Sequence, residues 1–173
     1  MIYIVRHGQT DWNLEGRSQG HADIELNSTG LKQAEEIKEM LKNYNFDLVF
    51  SSPLKRAYKT AEIITNKEII IDNRLIERSN GDLDGFKKEI IDNLVDLRDI
   101  NETRYNIEKL TNFRERIKSF FDEITEKYPN KNILVVTHAG VSIYTRCYFE
   151  GEPKDNDYES YKLKNCEILK YEN

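Results

Sequence analysis

Two histidines and two arginines stand where predicted strands and helices would bring them together. Arg6 and His7 close the first strand-like run, and His138 directly follows the apolar run NILVVT at 132–137. Arg56 lies near the start of a helix that follows another strand-like segment. Guanidinium groups bind phosphoryl oxygens in bidentate fashion, and a neutral imidazole nitrogen can attack phosphorus. The placement of these residues therefore predicts an anion pocket whose side chains could support phosphoryl transfer.

The periodicity of apolar residues predicts the elements that would position these side chains. Strands are predicted at 2–7, 46–51, 67–71, 132–137 and 166–171, and helices at 27–41, 53–65, 87–99, 105–128 and 141–149. Such alternation is typical of an α/β fold with helices on both faces of a sheet. Ligands of these folds bind outside the carboxyl ends of the strands, where helix N-termini attract anions. We therefore expect a three-layer α/β sandwich with a mainly parallel sheet and an anion pocket at this edge.

Length, charge and composition narrow the possible functions. With 173 residues, the chain is expected to form a single domain spanning residues 1–173. The formal charge of −5 argues against nucleic-acid binding, and no run of residues is apolar enough to predict a membrane span. The chain begins in strand-like residues without a secretory signal, so we expect a cytoplasmic location.

The sequence contains no obvious metal-binding cluster. Cys147 and Cys166 lack the spacing of metal ligands, and we expect them to be reduced packing residues. Guanidinium and imidazole groups can supply the charge stabilisation that Mg²⁺ supplies in kinases. We therefore expect no metal or other cofactor, and a small phosphorylated metabolite as the partner. The sequence makes no prediction about the oligomeric state.

Four motifs follow one another along the chain: RHGQT at 6–10, SSPLKRA at 51–57, LIE at 75–77 with two glycines after it, and THAGV at 137–141. Together they resemble the histidine phosphatase superfamily, which includes the cofactor-dependent phosphoglycerate mutases. One short motif would be weak support, but four in this order are specific. The resemblance implies a phosphoglycerate mutase-like fold and a phosphohistidine mechanism.

The resemblance also implies a role for each matching residue. His7 would be the nucleophile, with Arg6, Arg56 and His138 binding the transferring phosphoryl group. Glu77 takes the position of the proton donor, where a carboxyl group can protonate the departing oxygen and later activate water. Further substrate-binding positions are Gly8, Asn13, Gln19, Gly20 and Ala139. At Gly8, the missing side chain is expected to let the backbone pass close to the phosphate.

The segment after Gly85 departs from the mutase pattern. Mutases carry a longer insertion with paired arginines, whereas Arg98 and Arg104 stand apart here, and Val141 after the glycine resembles the phosphatase branch. We therefore predict a histidine acid-type phosphatase for small phosphate monoesters, with a short lid at about 78–112. The alternatives are a cofactor-dependent phosphoglycerate mutase and a non-catalytic module that binds phosphorylated ligands.

The remaining predictions concern structural roles of loop and surface residues. The loop 9–28 is expected to form a wall of the site. Ser52 is predicted to cap the helix that starts at the following proline. His21 and Lys88 are expected to be solvated, and Trp12 is expected to pack this loop onto the core.

Overall fold

One mixed sheet of five strands runs through the protein in the computed structural model, which describes residues 1–172. The strands are β1 (Ile2–Arg6), β2 (Leu48–Ser51), β3 (Ile70–Ile71), β4 (Ile133–Thr137) and β5 (Ile168–Tyr171). Their order across the sheet is β3-β2-β4-β1-β5; β1 to β4 run parallel, and β5 pairs antiparallel with β1. The predicted α/β fold with a mainly parallel sheet is confirmed.

Helices cover both faces of this sheet. They are α1 (Asp11–Leu14), α2 (Ser28–Leu41), α3 (Lys55–Ile64), α4 (Lys88–Leu94), α5 (Leu110–Lys127) and α6 (Ala139–Glu150). Helices α2 and α3 pack on one face, and α5 and α6 pack on the other around an aromatic cluster that includes Phe113, Phe120 and Phe121. No helix within residues 1–172 is long and apolar enough to cross a membrane.

The register between the two central strands sets the position of the two histidines. Strands β1 and β4 pair so that Arg6 lies opposite Thr137. The backbone N–H of His7 donates to the Thr137 carbonyl at 2.9 Å. Alternate side chains of both strands face opposite helix layers, which explains why their sequences are apolar throughout. His7 and His138 therefore leave neighbouring strands at the same edge of the sheet.

Helix α5 begins at Leu110, so the prediction of a helix from residue 105 is wrong at its start. Tyr105 and Asn106 have φ values of 57° and 58°, which an α-helix does not allow. Ile107, which the predicted helix would have included, packs instead in a separate small cluster with Leu83, Ile91 and Val95. The segment 78–112 therefore has an apolar cluster of its own.

The start of α3 also differs from its prediction. The helix begins at Lys55, and Leu54 stands at its cap position without a capping side chain. The Ser52 hydroxyl accepts from the Leu54 N–H at 3.3 Å and contacts Nε2 of His138 at 2.7 Å. The predicted capping role of Ser52 is therefore wrong, because this hydroxyl faces the second histidine.

Four other elements are shorter than the sequence predicts, among them β2, which begins at Leu48 and not at residue 46. Helix α4 ends at Leu94, because Val95 has extended backbone with φ −146° and ψ 153°. Strand β3 contains only Ile70–Ile71, which pair with the last two residues of β2. Strand β5 begins at Ile168, since Cys166 has a φ of 56° and lies outside the strand.

The helix predicted at 27–41 is present as α2, where the spacing of Leu31, Ala34, Ile37, Met40 and Leu41 predicts one apolar stripe on the core, but this stripe is only partly buried. Asn27 caps the helix, and its side chain accepts from the Gly30 N–H at 2.9 Å. The apolar positions expected to face the core divide into three buried ones, Ala34, Ile37 and Leu41, and two exposed ones, Leu31 and Met40. The buried face is therefore narrower than the sequence pattern indicated.

Candidate active site

A cleft of about 1240 Å³ opens at the carboxyl edge of the sheet. Most residues singled out in the sequence line it, namely Arg6, His7, Asn13, Gln19, Gly20, Arg56, Glu77 and Ala139. Its outer walls are formed by lid residues 91–98 and by the turns at 155–159. Within residues 1–172, no three His, Cys, Asp or Glu side chains converge as a metal site would require.

His7 lies at the base of this cleft and is 2% exposed. Its Nδ1 lies 2.7 Å from the Gly8 carbonyl. Because a carbonyl only accepts hydrogen bonds, Nδ1 carries the hydrogen and Nε2 keeps a lone pair. Burial, and then the positive charges of Arg56 and Arg6, hold the pKa of His7 well below its ordinary value. His7 is therefore a neutral imidazole with a free Nε2.

Two arginines, the buried Arg56 and the partly buried Arg6, flank His7 and hold unused hydrogen-bond donors. Arg56 is fully buried; it donates to the carbonyls of Ala22 at 2.7 Å and Gly20 at 2.9 Å. Arg6 donates to the Leu163 carbonyl at 2.7 Å. In both arginines, the buried Nε has no partner within residues 1–172. Burial lowers the pKa of Arg56 to about 10, so it stays cationic at neutral pH. Two such cations with open donors make this an anion site.

His138 is fully buried and lies beside His7, with 5.2 Å between the ring centres. Ser52 already accepts from the Leu54 N–H, so its hydroxyl can donate to Nε2 of His138. Burial, followed by the charge of Arg56, holds the pKa of His138 well below its ordinary value. A neutral His138 then keeps its hydrogen on Nδ1, which has no partner within residues 1–172.

The carboxyl group of Glu77 is held by two backbone N–H groups at the rim of the cleft. Oε1 accepts from Arg78 and Oε2 from Gly140, both at 2.9 Å. A Cβ at Gly140 would lie 2.4 Å from Oε1 of Glu77. Gly140 therefore allows the close approach of this carboxyl group to the start of α6. The sequence showed this glycine only as part of a motif, and its role was missed.

Comparison with known proteins agrees with this geometry. Residues 2–172 match the histidine phosphatase superfamily (branch 1). The chain belongs to the histidine phosphatase superfamily. It is 37% identical to a protein of Bacillus subtilis named uncharacterized phosphatase PhoE, over 95% of this chain and 84% of that protein. It is 38% identical to phosphoglycerate mutase-like protein 4 of Arabidopsis thaliana, over 84% of this chain and 70% of that protein.

Solved structures of the superfamily share this fold. One is a phosphoserine phosphatase of Entamoeba histolytica in complex with 3-phosphoglyceric acid. It superimposes with a TM-score of 0.81 and 27% identity, and the match covers 96% of this chain and 87% of that one. The superfamily match and the phosphatase relatives confirm the predicted class of the protein, a phosphatase.

In this phosphatase, Gly8 does not line the cleft. Its N–H donates to the Thr60 hydroxyl at 3.0 Å. A Cβ at Gly8 would lie 2.5 Å from the Gly30 carbonyl. The structure thus gives a packing reason for this glycine, in addition to the expected close pass of the backbone to the phosphate, which stays a prediction. Its small size lets α2 pack against the end of β1.

Three other predicted substrate residues line the cleft and also organise its wall. The amide oxygen of Asn13 accepts from the Thr10 N–H at 3.1 Å, which caps α1. Gln19 is 8% exposed and accepts from the Thr10 hydroxyl at 3.0 Å. The Gly20 carbonyl orients Arg56. The loop 9–28 thus supports the arginine, which the sequence did not indicate.

Two side chains of this loop, those of His21 and Trp12, contact other protein groups. His21 is exposed, yet its Nε2 lies 2.9 Å from the Glu77 carbonyl. Trp12 stacks under the guanidinium of Arg17, which lies 4.2 Å from the ring centre. The Arg17 Nε in turn donates to the Gly85 carbonyl at 2.6 Å. These contacts fasten the loop to the segment that carries Glu77.

Three basic residues of the segment 78–112 pair with nearby carboxylates. Lys88 is exposed, as predicted, and pairs with Glu159 at 3.2 Å across the cleft. Arg98 is 74% exposed and approaches Asp96 at 3.7 Å. Arg104 pairs with Glu102 two residues before it. The rim of the cleft therefore presents charges of both signs.

The two buried histidines predict that the protein loses stability in mild acid. Unfolded histidines gain protons near pH 6.5, whereas folded His7 and His138 stay neutral because their pKa values are lowered. The unfolded state then binds more protons, so the free energy of unfolding falls as pH drops below about 6.5, by up to about 1.4 kcal/mol per pH unit for each histidine. Urea unfolding between pH 7 and 5.5 measures this slope. His7→Gln should remove about half of it, and a flat profile in the wild type would contradict the buried neutral state.

Proposed function

We propose that this phosphatase hydrolyses small phosphate monoesters through a phosphohistidine on His7. The observation that carries this proposal is a neutral His7 with a free Nε2, placed between the guanidinium groups of Arg56 and Arg6, each of which has a buried Nε with no partner within residues 1–172. A module that only binds phosphate needs the arginines but has no use for this nucleophile. The Glu77 carboxyl group at the rim adds a proton donor and acceptor.

In the first step, the lone pair on Nε2 of His7 attacks phosphorus while the bond to the ester oxygen breaks. Arg6 and Arg56 hold the phosphoryl oxygens, and the Nδ1 hydrogen of His138 donates to them. The protonated carboxyl group of Glu77 gives its proton to the departing oxygen. The products are a free alcohol, a phosphohistidine and a Glu77 carboxylate.

In the second step, water attacks the phosphohistidine from the side of the cleft. The Glu77 carboxylate takes a proton from this water, and the phosphorus–nitrogen bond breaks. The electron pair of that bond returns to Nε2 of His7. Inorganic phosphate leaves, and the enzyme regains its starting protonation.

The same proposal includes the class of phosphatase, the domain, the location and the lid. A histidine acid-type phosphatase needs a nucleophile that stays unprotonated in mild acid, and the lowered pKa of His7 supports that class. We assign residues 1–173 to one domain in the cytoplasm, with the lid at about 78–112 facing the alcohol part of the ester. The lid residues Leu94, Leu97 and Arg98 line the cleft there.

The substrate class is small phosphorylated metabolites. One structural relative is a phosphoserine phosphatase seen with 3-phosphoglyceric acid, which makes charged three-carbon esters the first candidates. The rim of the cleft is suited to charged esters of this kind, because it has both basic and acidic side chains. The alternative of a phosphoglycerate mutase is supported by the Arabidopsis relative.

A phosphate-release screen tests the proposal. The panel contains phosphoserine, 3-phosphoglycerate, p-nitrophenyl phosphate and phenyl phosphate. We expect net release of inorganic phosphate from several of them. Interconversion of 2- and 3-phosphoglycerate without net release would instead establish a mutase. Binding of these esters with no turnover would establish a binding module and reject the proposal.

Gly140→Ala is expected to impair turnover without harming the fold. The added Cβ would meet Oε1 of Glu77 at 2.4 Å, and that flexible side chain can swing away. The phenyl phosphate kcat should fall about tenfold to a hundredfold, because the proton donor is displaced. The free energy of unfolding should stay equal or rise slightly, since alanine favours a helix. Steady-state kinetics and urea unfolding check both parts; unchanged turnover would contradict the role given to Glu77.

A further inference from the structure

Glu77 lies in an irregular segment that side chains from other elements hold in place. This segment lies between a 3₁₀ turn that ends at Leu75 and another that begins at Gly81. The carbonyls of four consecutive residues, 74–77, accept hydrogen bonds from side chains. Arg116 of α5 binds three of them, and Thr137 of β4 binds the Leu75 carbonyl at 2.9 Å.

The guanidinium of Arg116 makes five hydrogen bonds, which equals its number of N–H groups. Nη1 donates to the carbonyls of Arg74 at 2.7 Å and Ile76 at 2.6 Å. Nη2 donates to the Glu77 carbonyl at 3.1 Å. Nε and Nη2 also donate to the two carboxylate oxygens of Glu108, at 2.8 and 3.0 Å. This bidentate pair fixes the plane of the guanidinium.

Glu108 holds the chain on the other side of Glu77. Its carboxylate accepts from the Ser79 N–H at 3.3 Å, and its backbone N–H donates to the Ser79 carbonyl at 3.1 Å. Its carbonyl accepts from Nε of Arg78 at 2.9 Å. The residues before and after Glu77 are therefore both tied to the pair of Arg116 and Glu108.

We propose that Arg116, oriented by Glu108, is a positioning residue that holds the Glu77 carboxyl group at the phosphoryl site. The inference rests on the proton-donor role proposed above. The side chains of Arg116 and Glu108 are only 19% and 18% exposed, so solvent screens their pairing little. An irregular segment gains its precision from such contacts, and a small misplacement of a proton donor lowers the rate strongly.

The test compares p-nitrophenyl phosphate with phenyl phosphate, two esters of similar shape whose leaving groups differ in basicity. Loss of a proton donor lowers kcat/KM more for phenyl phosphate, because phenoxide leaves poorly without a proton. The measured quantity is the kcat/KM for p-nitrophenyl phosphate divided by the kcat/KM for phenyl phosphate. Arg116→Met should raise this ratio about tenfold over wild type, in the same direction as Glu77→Gln. A variant that only loosens the fold lowers both values together and leaves the ratio unchanged.

Arg146→Met is the matched control. Arg146 also lies on a helix, pairs with a glutamate at 3.0 Å and stacks over the Tyr161 ring at 4.4 Å. In the Arg146→Met variant, the ratio of the two kcat/KM values should equal that of the wild type. Should Arg116→Met fail to fold, Glu108→Gln removes the charge but keeps the shape, and it should raise the ratio in the same direction.

Each outcome decides between the two proposals. A raised ratio in the Arg116 or Glu108 variant supports the positioning role. A wild-type ratio in those variants, while Glu77→Gln raises it, overturns the positioning role alone. A wild-type ratio in Glu77→Gln overturns the proton-donor role and the positioning role with it. Phosphate release by the wild type would still support phosphatase activity in that case.

Discussion

Replacing His7 by alanine is expected to lower phosphate release more than about a thousandfold, because the phosphoryl group then has no acceptor. Arg6, Arg56 and His138 remain in the variant, so phosphate esters should still bind. The residual rate would reflect binding and charge stabilisation alone. The screen described above measures the rate, and equilibrium binding of inorganic phosphate measures the remaining pocket.

A second measurement identifies the nucleophile directly. Rapid quenching of the wild type during turnover should trap an acid-labile phosphoryl group on the peptide that contains His7, and mass spectrometry locates it. His7→Ala should show no such adduct. An adduct on the His138 peptide, or equal phosphate release by wild type and variant, would reject the mechanism.

Arg56→Lys should lower kcat/KM on the order of a hundredfold or more. Two of the five N–H groups of Arg56 already bind the carbonyls of Ala22 and Gly20, which leaves three for the phosphoryl group, among them the unpartnered Nε. A lysine carries one ammonium group and cannot orient the loop carbonyls and the phosphoryl oxygens together. The substitution keeps the positive charge, so a large loss of kcat/KM measures the contribution of the planar guanidinium group.

The matched control for this variant is Arg146→Lys, at a helix position that is 26% exposed and paired with Glu150. It should retain wild-type kinetics. Binding of vanadate, measured for wild type and both variants, separates loss of the anion site from loss of chemistry. Wild-type affinity and kcat/KM in Arg56→Lys would show that Arg56 serves only to hold the loop.

Several features of the site were predictable because they follow from local patterns. Apolar runs that end abruptly in polar residues indicated the ends of β1 and β4, and neighbouring parallel strands place their ends at one edge. The sequence thus predicted that Arg6, His7 and His138 would meet. Their motifs also predicted the superfamily, which the match over residues 2–172 confirms.

The start of α5 was less predictable, because long-range packing decides it. Tyr105 and Asn106 adopt positive φ although neither is glycine. Their backbone packs closely on Gly81, where a Cβ would lie 2.0 Å from the Tyr105 carbonyl. Local residue preferences favoured a longer helix here, and the contact with a residue 24 positions away overrode them.

The sequence by itself determined the sheet, the edge where the cleft opens and the two histidines and two arginines that meet there. Only the tertiary structure decided how these groups are oriented: Ser52 on His138, Gly140 beside Glu77, and Arg116 on the carbonyls around Glu77. The physical reason is the range of the interactions. Periodicity and strand ends are encoded by neighbouring residues, whereas each orienting contact joins residues far apart in the chain and depends on how the helix layers pack on the sheet.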